Sequence, residues 1–169
     1  MPPFTESPGE DWTSPLLVWR EEWCLGIEAL DTDHQELVRL LNQLLQAQAV
    51  PLAEGGPGHA RHGDDRPGRD QLAILAALIE HRRAHFRREE DLMAAIDYPD
   101  LEAHRGEHEM QTAELMDLWR HLEDSGAEHL SAESLEWIKR WCFDHFITED
   151  RRLAEAHLGH RAQNPSAAP

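Results

Sequence analysis

The sequence predicts an all-α protein, an antiparallel up-down four-helix bundle with an irregular N-terminal arm. Apolar residues recur at steps of three and four in four separate stretches, which is the pattern of a helix with one buried face. Segments containing proline or glycine separate these stretches, so each helix can turn back and pack against the previous one. A chain of 169 residues is long enough for one domain with a single core.

The N-terminal arm is predicted to cover residues 1–18. This region contains four prolines and no helical stripe of apolar residues, so it is expected to be irregular. Trp12, Trp19 and Trp23 follow one another closely enough to anchor the arm on the bundle.

The first two helices are predicted to flank a long loop. The first follows an extended lead-in and begins near Asp31, which can cap its N-terminus, and its apolar stripe starts at His34. Residues 51–69 are rich in glycine and proline and are predicted to form a flexible loop, for which the sequence gives no function. Asp70 is expected to cap the second helix, which ends before Pro99 because a residue preceding proline is driven out of the helical conformation.

The third and fourth helices complete the predicted bundle. The third is expected to end near Gly126, and Ser131 is expected to cap the fourth. Residues 159–169 contain no core-forming side chains and are predicted to be a disordered tail. The bundle domain is therefore predicted to span residues 19–158.

The chain is strongly acidic, with 33 Asp and Glu against 16 Lys and Arg and a formal net charge of -17. Such a charge repels phosphate groups, so we expect no binding to nucleic acid or to an anionic membrane surface. No apolar run is long enough to cross a bilayer, and the first residues lack the features of a signal peptide. Cys24 and Cys142 form no CxxC motif and predict no disulfide. The expected location is the cytoplasm.

Polar residues interrupt the apolar stripe of every predicted helix. His85 and Glu89, and likewise His104 and His108, are four residues apart, so each pair projects from one face of its helix. Several buried polar groups at one level of a bundle are costly, and metal coordination is the simplest way to offset that cost. The predicted metal ligands are His34, His85, Glu89, His104, His108, His145 and Asp150.

The spacing of the last two ligands carries a structural prediction. Asp150 follows His145 by five residues, which on a regular helix turns the two side chains roughly 140 degrees apart. Both can serve one site if the helix contains a wide π turn, or if the two residues lie on opposite sides of a two-metal centre. We predict one or both of these arrangements.

The number of donors predicts two metal ions. Five imidazoles and two carboxylates exceed what one ion needs. If both carboxylates and an oxide or hydroxide bridge two octahedral ions, the donors fall one short of saturation, which leaves a position for a small ligand. Imidazole with carboxylate suits iron, although zinc or manganese can occupy such a site.

These motifs resemble those of the hemerythrins, in particular the single-domain bacteriohemerythrins, over roughly residues 18–155. The matching pieces are Trp19 with Gly26-Ile27, Asp31-Thr32-Asp33-His34, His85-Phe86 with Glu89-Glu90, Tyr98-Pro99, His104 with His108, and Trp141 with His145 and Asp150. The resemblance implies two non-haem iron ions joined by an oxide or hydroxide. It assigns His104, His108 and His145 to one iron, His34 and His85 to the other, and Glu89 and Asp150 as bridges.

The resemblance also implies reversible dioxygen binding at the iron with fewer donors. A histidine-rich shell favours the ferrous state, and a dry, leucine-lined pocket slows proton entry, so binding is expected rather than oxidation. Two residues depart from the usual pattern of the family. Cys142 replaces an aliphatic residue and can be an inert apolar filler or an oxidisable thiol. His81 replaces an aromatic residue and is expected to support the ligands, or line a channel, rather than bind metal.

The leading functional hypothesis is a dioxygen-binding di-iron protein for storage, transport or sensing, rather than an enzyme. One alternative is a peroxidase or nitric oxide reductase that uses the same site. The other is a regulatory module in which the iron state alters the acidic surface or the 51–69 loop. The expected ligand is dioxygen, with nitric oxide or peroxide in the enzymatic alternative, and the sequence predicts no particular protein partner.

Overall fold

A computed structural model describes residues 16–49, 67–126 and 129–164 of the chain. The described residues form five α-helices, a short 3₁₀ turn and a π turn, with no strand. The α-helices are α1 (Glu28–Ala49), α2 (Pro67–Ala95), α3 (Leu101–Ser125), α4 (Ala132–His145) and α5 (Arg151–Gln163). The π turn, Phe146–Asp150, joins α4 to α5, so these two make one continuous fourth rod. No helix in the described ranges is both long and apolar enough to cross a bilayer.

Hydrogen bonds at both ends of α1 and α2 show that these helices are antiparallel. Gln71, near the start of α2, donates from Nε2 to the backbone oxygen of Leu44, near the end of α1 (3.4 Å). Arg88, in the last part of α2, donates to both carboxylate oxygens of Asp33, in the second turn of α1. Because α3 packs on α2 and α4 packs on α1, the fold is the predicted four-helix bundle.

The lead-in to α1 is anchored by aromatic side chains. Trp23, in the 3₁₀ turn Glu21–Trp23, is buried and contacts Phe143 with ring centroids 4.9 Å apart. Trp19 stacks on Phe146 at 6.1 Å. Trp19 and Trp23 therefore anchor the lead-in, whereas Trp12 and residues 1–15 of the predicted arm lie outside the described residues.

The first helix begins earlier than the sequence indicated. Asp31 is not its cap: α1 starts at Glu28, and Asp31 lies in the first turn. The Asp31 carboxylate instead accepts hydrogen bonds from the backbone N–H groups of Leu25 (2.6 Å) and Gly26 (3.1 Å), which precede the helix. Gly26 has a left-handed φ of 79°, a conformation that glycine adopts without strain. The acid thus holds the turn that leads into the helix.

Two further boundaries differ from the predictions. Helix α2 starts at Pro67, so residues 67–69 of the predicted 51–69 loop are helical, and Asp70 is not the cap. Proline suits the first turn of a helix because its missing N–H would be unpaired there anyway. Residues 159–163 of the predicted 159–169 tail are also helical, because α5 continues past Gly159 to Gln163, and residues 165–169 lie outside the described residues. Residues 51–66 and most of the arm lie outside the described residues.

The predicted boundaries between α3 and α4 are confirmed. Gly126 ends α3 in the left-handed conformation, with φ 64°. Ser131 caps α4, since its hydroxyl accepts a hydrogen bond from the backbone N–H of Ser134 at 3.0 Å.

Replacing Ser131 by alanine removes this cap. We expect Ser131→Ala to lower the free energy of unfolding by about 1 kcal/mol, the usual cost of losing an N-cap acceptor. Ser131→Asp, which keeps an acceptor at the same position, serves as the control and is expected to match the parent protein. Urea unfolding followed by circular dichroism measures both. Equal loss in the two variants would contradict a capping role.

Candidate metal centre

The bundle core contains a polar cluster built from all four rods. Its seven members fall into two groups, and within each group the ligand atoms lie within 4.8 Å of one another. All seven side chains are buried. The first group is Glu89, His104, His108 and His145, and the second is His34, His85 and Asp150. The structure thus brings together every residue that the sequence singled out as a ligand.

Helical spacing explains why these side chains meet. His85 and Glu89 lie one turn apart on α2, as do His104 and His108 on α3, so each pair faces the core. The π turn Phe146–Asp150 explains how Asp150, five residues after His145, reaches the same cluster. Its wider winding keeps Asp150 on the same side as His145, and both are buried. The predicted π turn is therefore confirmed.

Glu89 lies between the two groups of histidines. Its Oε1 is 3.5 Å from His85 Nε2 in the second group. Its Oε2 is 3.2 Å from His108 Nε2 and 3.7 Å from His104 Nε2 in the first. One carboxylate oxygen therefore faces each group.

Asp150 repeats this arrangement from the opposite rod. Its Oδ2 is 3.0 Å from His34 Nε2 and 3.4 Å from His85 Nε2. Its Oδ1 is 3.0 Å from His145 Nε2. Each carboxylate thus spans the two groups, with one oxygen directed to either side.

Unpaired polar atoms support metal binding. Among the described residues, seven buried atoms of the cluster have no hydrogen-bond partner: Oε1 and Oε2 of Glu89, Oδ1 of Asp150, Nδ1 of His34, and Nε2 of His104, His108 and His145. His145 Nε2 and Asp150 Oδ1 are close but not aligned for a hydrogen bond. Buried polar atoms without partners are costly, and these atoms are of the types that bind iron, zinc or manganese. The residues present therefore fit a metal centre.

The charges of the cluster also favour a cation. Burial acts to raise the pKa of Asp150, but His145, His34 and His85 outweigh burial and hold it well below its ordinary value. Burial acts to lower the pKa of His85, but Glu89 and the other nearby carboxylates raise it to about 9. The carboxylates that favour a proton on the His85 imidazole also attract a metal cation, and the cation competes with that proton.

The outer nitrogens of two histidines face carboxylates. His85 Nδ1 lies 3.3 Å from Asp33 Oδ2, and Arg88 holds that carboxylate from the other side with bonds of 2.8 and 2.6 Å. His108 Nδ1 lies 3.1 Å from Glu90 Oε1. Such contacts fix the ring orientation and increase the electron density that the inner nitrogen offers a metal.

His81 and Cys142, the two residues that differ from the usual family pattern, have different surroundings. His81 is half-buried, and its Nε2 lies 2.8 Å from the backbone oxygen of Asp33. The side chain of the same Asp33 contacts His85, so Asp33 connects His81 to the cluster. Cys142 is fully buried, and burial raises the pKa of its thiol to about 11. At neutral pH Cys142 is therefore an uncharged thiol inside the core.

Sequence reasoning missed the contacts that support the cluster. Asp33 and Glu90 belonged to recognised motifs but received no role. Arg82 was not noticed, although it continues the spacing of Leu78 and Phe86 along the buried face of α2. A charged residue in register with an apolar stripe was the available signal.

A four-helix bundle whose core presents histidines and carboxylates at one buried point defines a class of metal-binding bundle proteins. A family model described as "Hemerythrin HHE cation binding domain" matches residues 25–156. The chain therefore belongs to the hemerythrin family, as the sequence motifs indicated. Proteins of this family bind non-haem iron and dioxygen.

Individual relatives agree with this assignment. A bacteriohemerythrin of Stenotrophomonas maltophilia (strain R551-3) is 27% identical over 151 residues, covering 88% of each chain. A bacteriohemerythrin of Ralstonia nicotianae is 28% identical over 156 residues, covering 91% of this chain and 99% of the relative. A crystal structure of a hemerythrin with a leucine-to-tyrosine substitution superposes with a TM-score of 0.69, at 19% identity, over 85% of this chain and 98% of that one. The structural match shows the shared fold.

The two cysteines are expected to differ in reactivity. Cys24 is exposed, whereas Cys142 is buried with a pKa of about 11. Since the thiolate is the reactive form, iodoacetamide at pH 8 should add one label to the folded protein and two to the unfolded protein, counted by intact mass. Cys24→Ser is the control and should add none when folded. Rapid labelling of Cys142 in this variant would show that the thiol is accessible.

Proposed function

We propose that this protein binds dioxygen reversibly at two non-haem iron ions joined by an oxide or hydroxide, for oxygen storage, transport or sensing. The observation that carries the proposal is the division of the cluster. Three histidines lie on one side of the two carboxylates and two on the other, so one side has a donor fewer. The proposal includes the cytoplasmic location that the sequence predicts.

The proposed ligand assignment follows the two groups. His104, His108 and His145 would hold one iron, and His34 and His85 the other. Glu89 and Asp150 would bridge them, because each directs one oxygen to either side. When bound, the iron pair supplies the electrons for reversible dioxygen binding, and the two-histidine side offers the free position.

Aromatic rings shield the cluster from water. The ring centroids of Phe146 and His34 are 4.0 Å apart, and Phe86 stacks on His108 with ring centroids 3.7 Å apart. Both phenylalanines are buried. A dry surround slows proton entry and thereby supports release of the bound ligand over its conversion.

An enzymatic role is the second candidate, and one observation favours it. Half-buried His81 contacts the backbone of Asp33, and the Asp33 carboxylate contacts His85, so polar groups run from near the surface to a proposed ligand. Such a path can support proton delivery during consumption of peroxide or nitric oxide. Consumption over many turnovers would favour this candidate over reversible binding.

The direct test combines metal analysis with visible spectroscopy. We expect two irons per chain and a visible band that forms in air, disappears under vacuum and returns over many cycles. His104→Ala should lower the iron content at least twofold because it removes one proposed ligand. Cys142→Leu should retain both irons and change only the lifetime of the dioxygen band. Full iron content in His104→Ala would contradict the assignment of α3.

The contact behind His85 gives a second test. Asp33→Asn weakens the acceptor at His85 Nδ1 and should reduce iron affinity about 10- to 100-fold, the usual effect of losing a carboxylate behind a ligand histidine. Asp117→Asn is the matched control, because Asp117 is an exposed aspartate that also pairs with an arginine, Arg120. Competition with a chelator measures both. Equal affinities in the two variants would remove Asp33 from the site.

A further inference from the structure

A surface groove between α2 and α3 reaches down to the metal cluster. It consists of two adjoining cavities of about 210 and 370 Å³, which share Arg83 and Met116 in their walls. The larger cavity is lined by Phe86 and His108, which are only 4% and 2% exposed and therefore form its floor. Pockets that bind small molecules have volumes of about 300–1,000 Å³, so the larger cavity has a suitable size.

The lining of the groove suits a planar aromatic molecule. Its apolar part includes Ile79, Phe86, Met116 and Trp119. Aromatic and thioether side chains pack favourably against a flat conjugated ring. Arg83 donates to the sulfur of Met116 at 2.9 Å, which holds this part of the wall in place.

The groove is locally neutral in a strongly acidic protein, so it can accept a ligand with a negative group. The whole chain has a formal charge of -17, which repels anions. The lining of the two cavities balances three arginines against three glutamates, namely Arg83, Arg87, Arg120, Glu80, Glu90 and Glu109. Arg87 is exposed and forms no ion pair within the part of the chain that the structure describes. Its guanidinium is therefore available to a phosphate group.

The floor of the groove places a bound molecule next to the three-histidine side of the cluster. The rings of Phe86 and His108 are stacked, with centroids 3.7 Å apart and planes 14° apart. His108 is a proposed ligand of the iron that has no free position. A molecule in the groove therefore does not occupy the dioxygen position, but it is close enough to exchange electrons with the centre through one ring.

We propose that electrons reach the metal pair through this groove, which binds a small planar reductant of the flavin class with its phosphate on Arg87. The proposal rests on the dioxygen-binding function proposed above, because a centre that has become diferric must be reduced before it can bind dioxygen again. One reduced flavin gives up two electrons and two protons and becomes oxidised flavin. The two electrons convert two ferric ions to ferrous ions, and the protons pass to the solvent at the open side of the groove.

Binding is tested with oxidised flavin mononucleotide as the probe and the quenching of its fluorescence as the readout. The titration uses the protein as isolated and does not depend on which metal it holds. Ala113→Trp fills the larger cavity, because Ala113 is an exposed residue of its lining, and should raise the dissociation constant at least about tenfold.

Ala77→Trp is the matched control for the filled cavity. Ala77 is also an exposed alanine of a helix, but it lines neither cavity, so its dissociation constant should stay within about twofold of the parent value. Failure of the parent protein to bind the flavin, or equal affinities in the two tryptophan variants, would overturn the site.

Arg87→Gln tests the contact with the phosphate. It should weaken binding of flavin mononucleotide about threefold, the effect of losing one exposed ionic contact, and leave binding of riboflavin, which lacks the phosphate, unchanged. Arg140→Gln is the matched control, since Arg140 is an exposed arginine of α4 outside the groove. Equal weakening of both flavins, or of neither, would overturn the role of Arg87.

Reduction of the diferric protein tests the transfer of electrons. With reduced flavin mononucleotide under argon, loss of the visible band should be at least about tenfold slower in Ala113→Trp than in Ala77→Trp. Dithionite, a much smaller reductant, should reduce both variants equally fast. Equal rates with the flavin would overturn electron transfer through the groove. If the parent protein binds no iron, the proposed function fails, and the binding titration still decides whether the groove holds a flavin.

Discussion

The structure depends on two buried carboxylates that are shared between two sets of histidines. Glu89 and Asp150 come from α2 and from the end of the π turn, and each directs one oxygen to either set. In a core built mainly of leucine and other apolar side chains, two such charges are tolerated only if cations or several hydrogen-bond donors surround them. The positions of the four rods can therefore be understood as the arrangement that places five imidazoles around these two groups.

The surrounding contacts divide the cluster into unlike halves. On the His85 side, Asp33 is held by Arg88, so negative charge lies behind the ligand and is itself restrained. On the His145 side, Nδ1 lies 2.9 Å from the amide nitrogen of Gln111 and 3.8 Å from Glu107 Oε2. The two proposed metal positions thus differ both in the number of donors and in the residues that lie behind their ligands. Such an asymmetry suits a centre in which one position holds its metal firmly and the other exchanges a small ligand.

Much of this arrangement could be predicted from the sequence, because helix periodicity and ligand spacing are local properties. The spacing of His145 and Asp150 even predicted the π turn, since a regular helix could not bring both to one place. Helix starts were harder to predict. Aspartate often caps helices, but the left-handed turn at Gly26 lets α1 begin before Asp31. The Asp31 carboxylate instead accepts hydrogen bonds from backbone N–H groups of the lead-in. The contact of buried Arg82 with Gln111 could not be inferred either, because it depends on which residue of α3 lies opposite Arg82.

The π turn also fixes the phase of everything that follows it. A π turn contains one residue more than a regular turn, so α5 is rotated by about 100 degrees relative to an uninterrupted helix. That rotation directs Leu153 and Ala154 inward, where Ala154 packs with Leu25 and Leu30 beneath the lead-in. A deletion of one residue in this turn would therefore displace Asp150 and unseat the C-terminal helix in a single step. The position of Asp150 in the cluster and the packing of α5 against the lead-in therefore depend on the same turn.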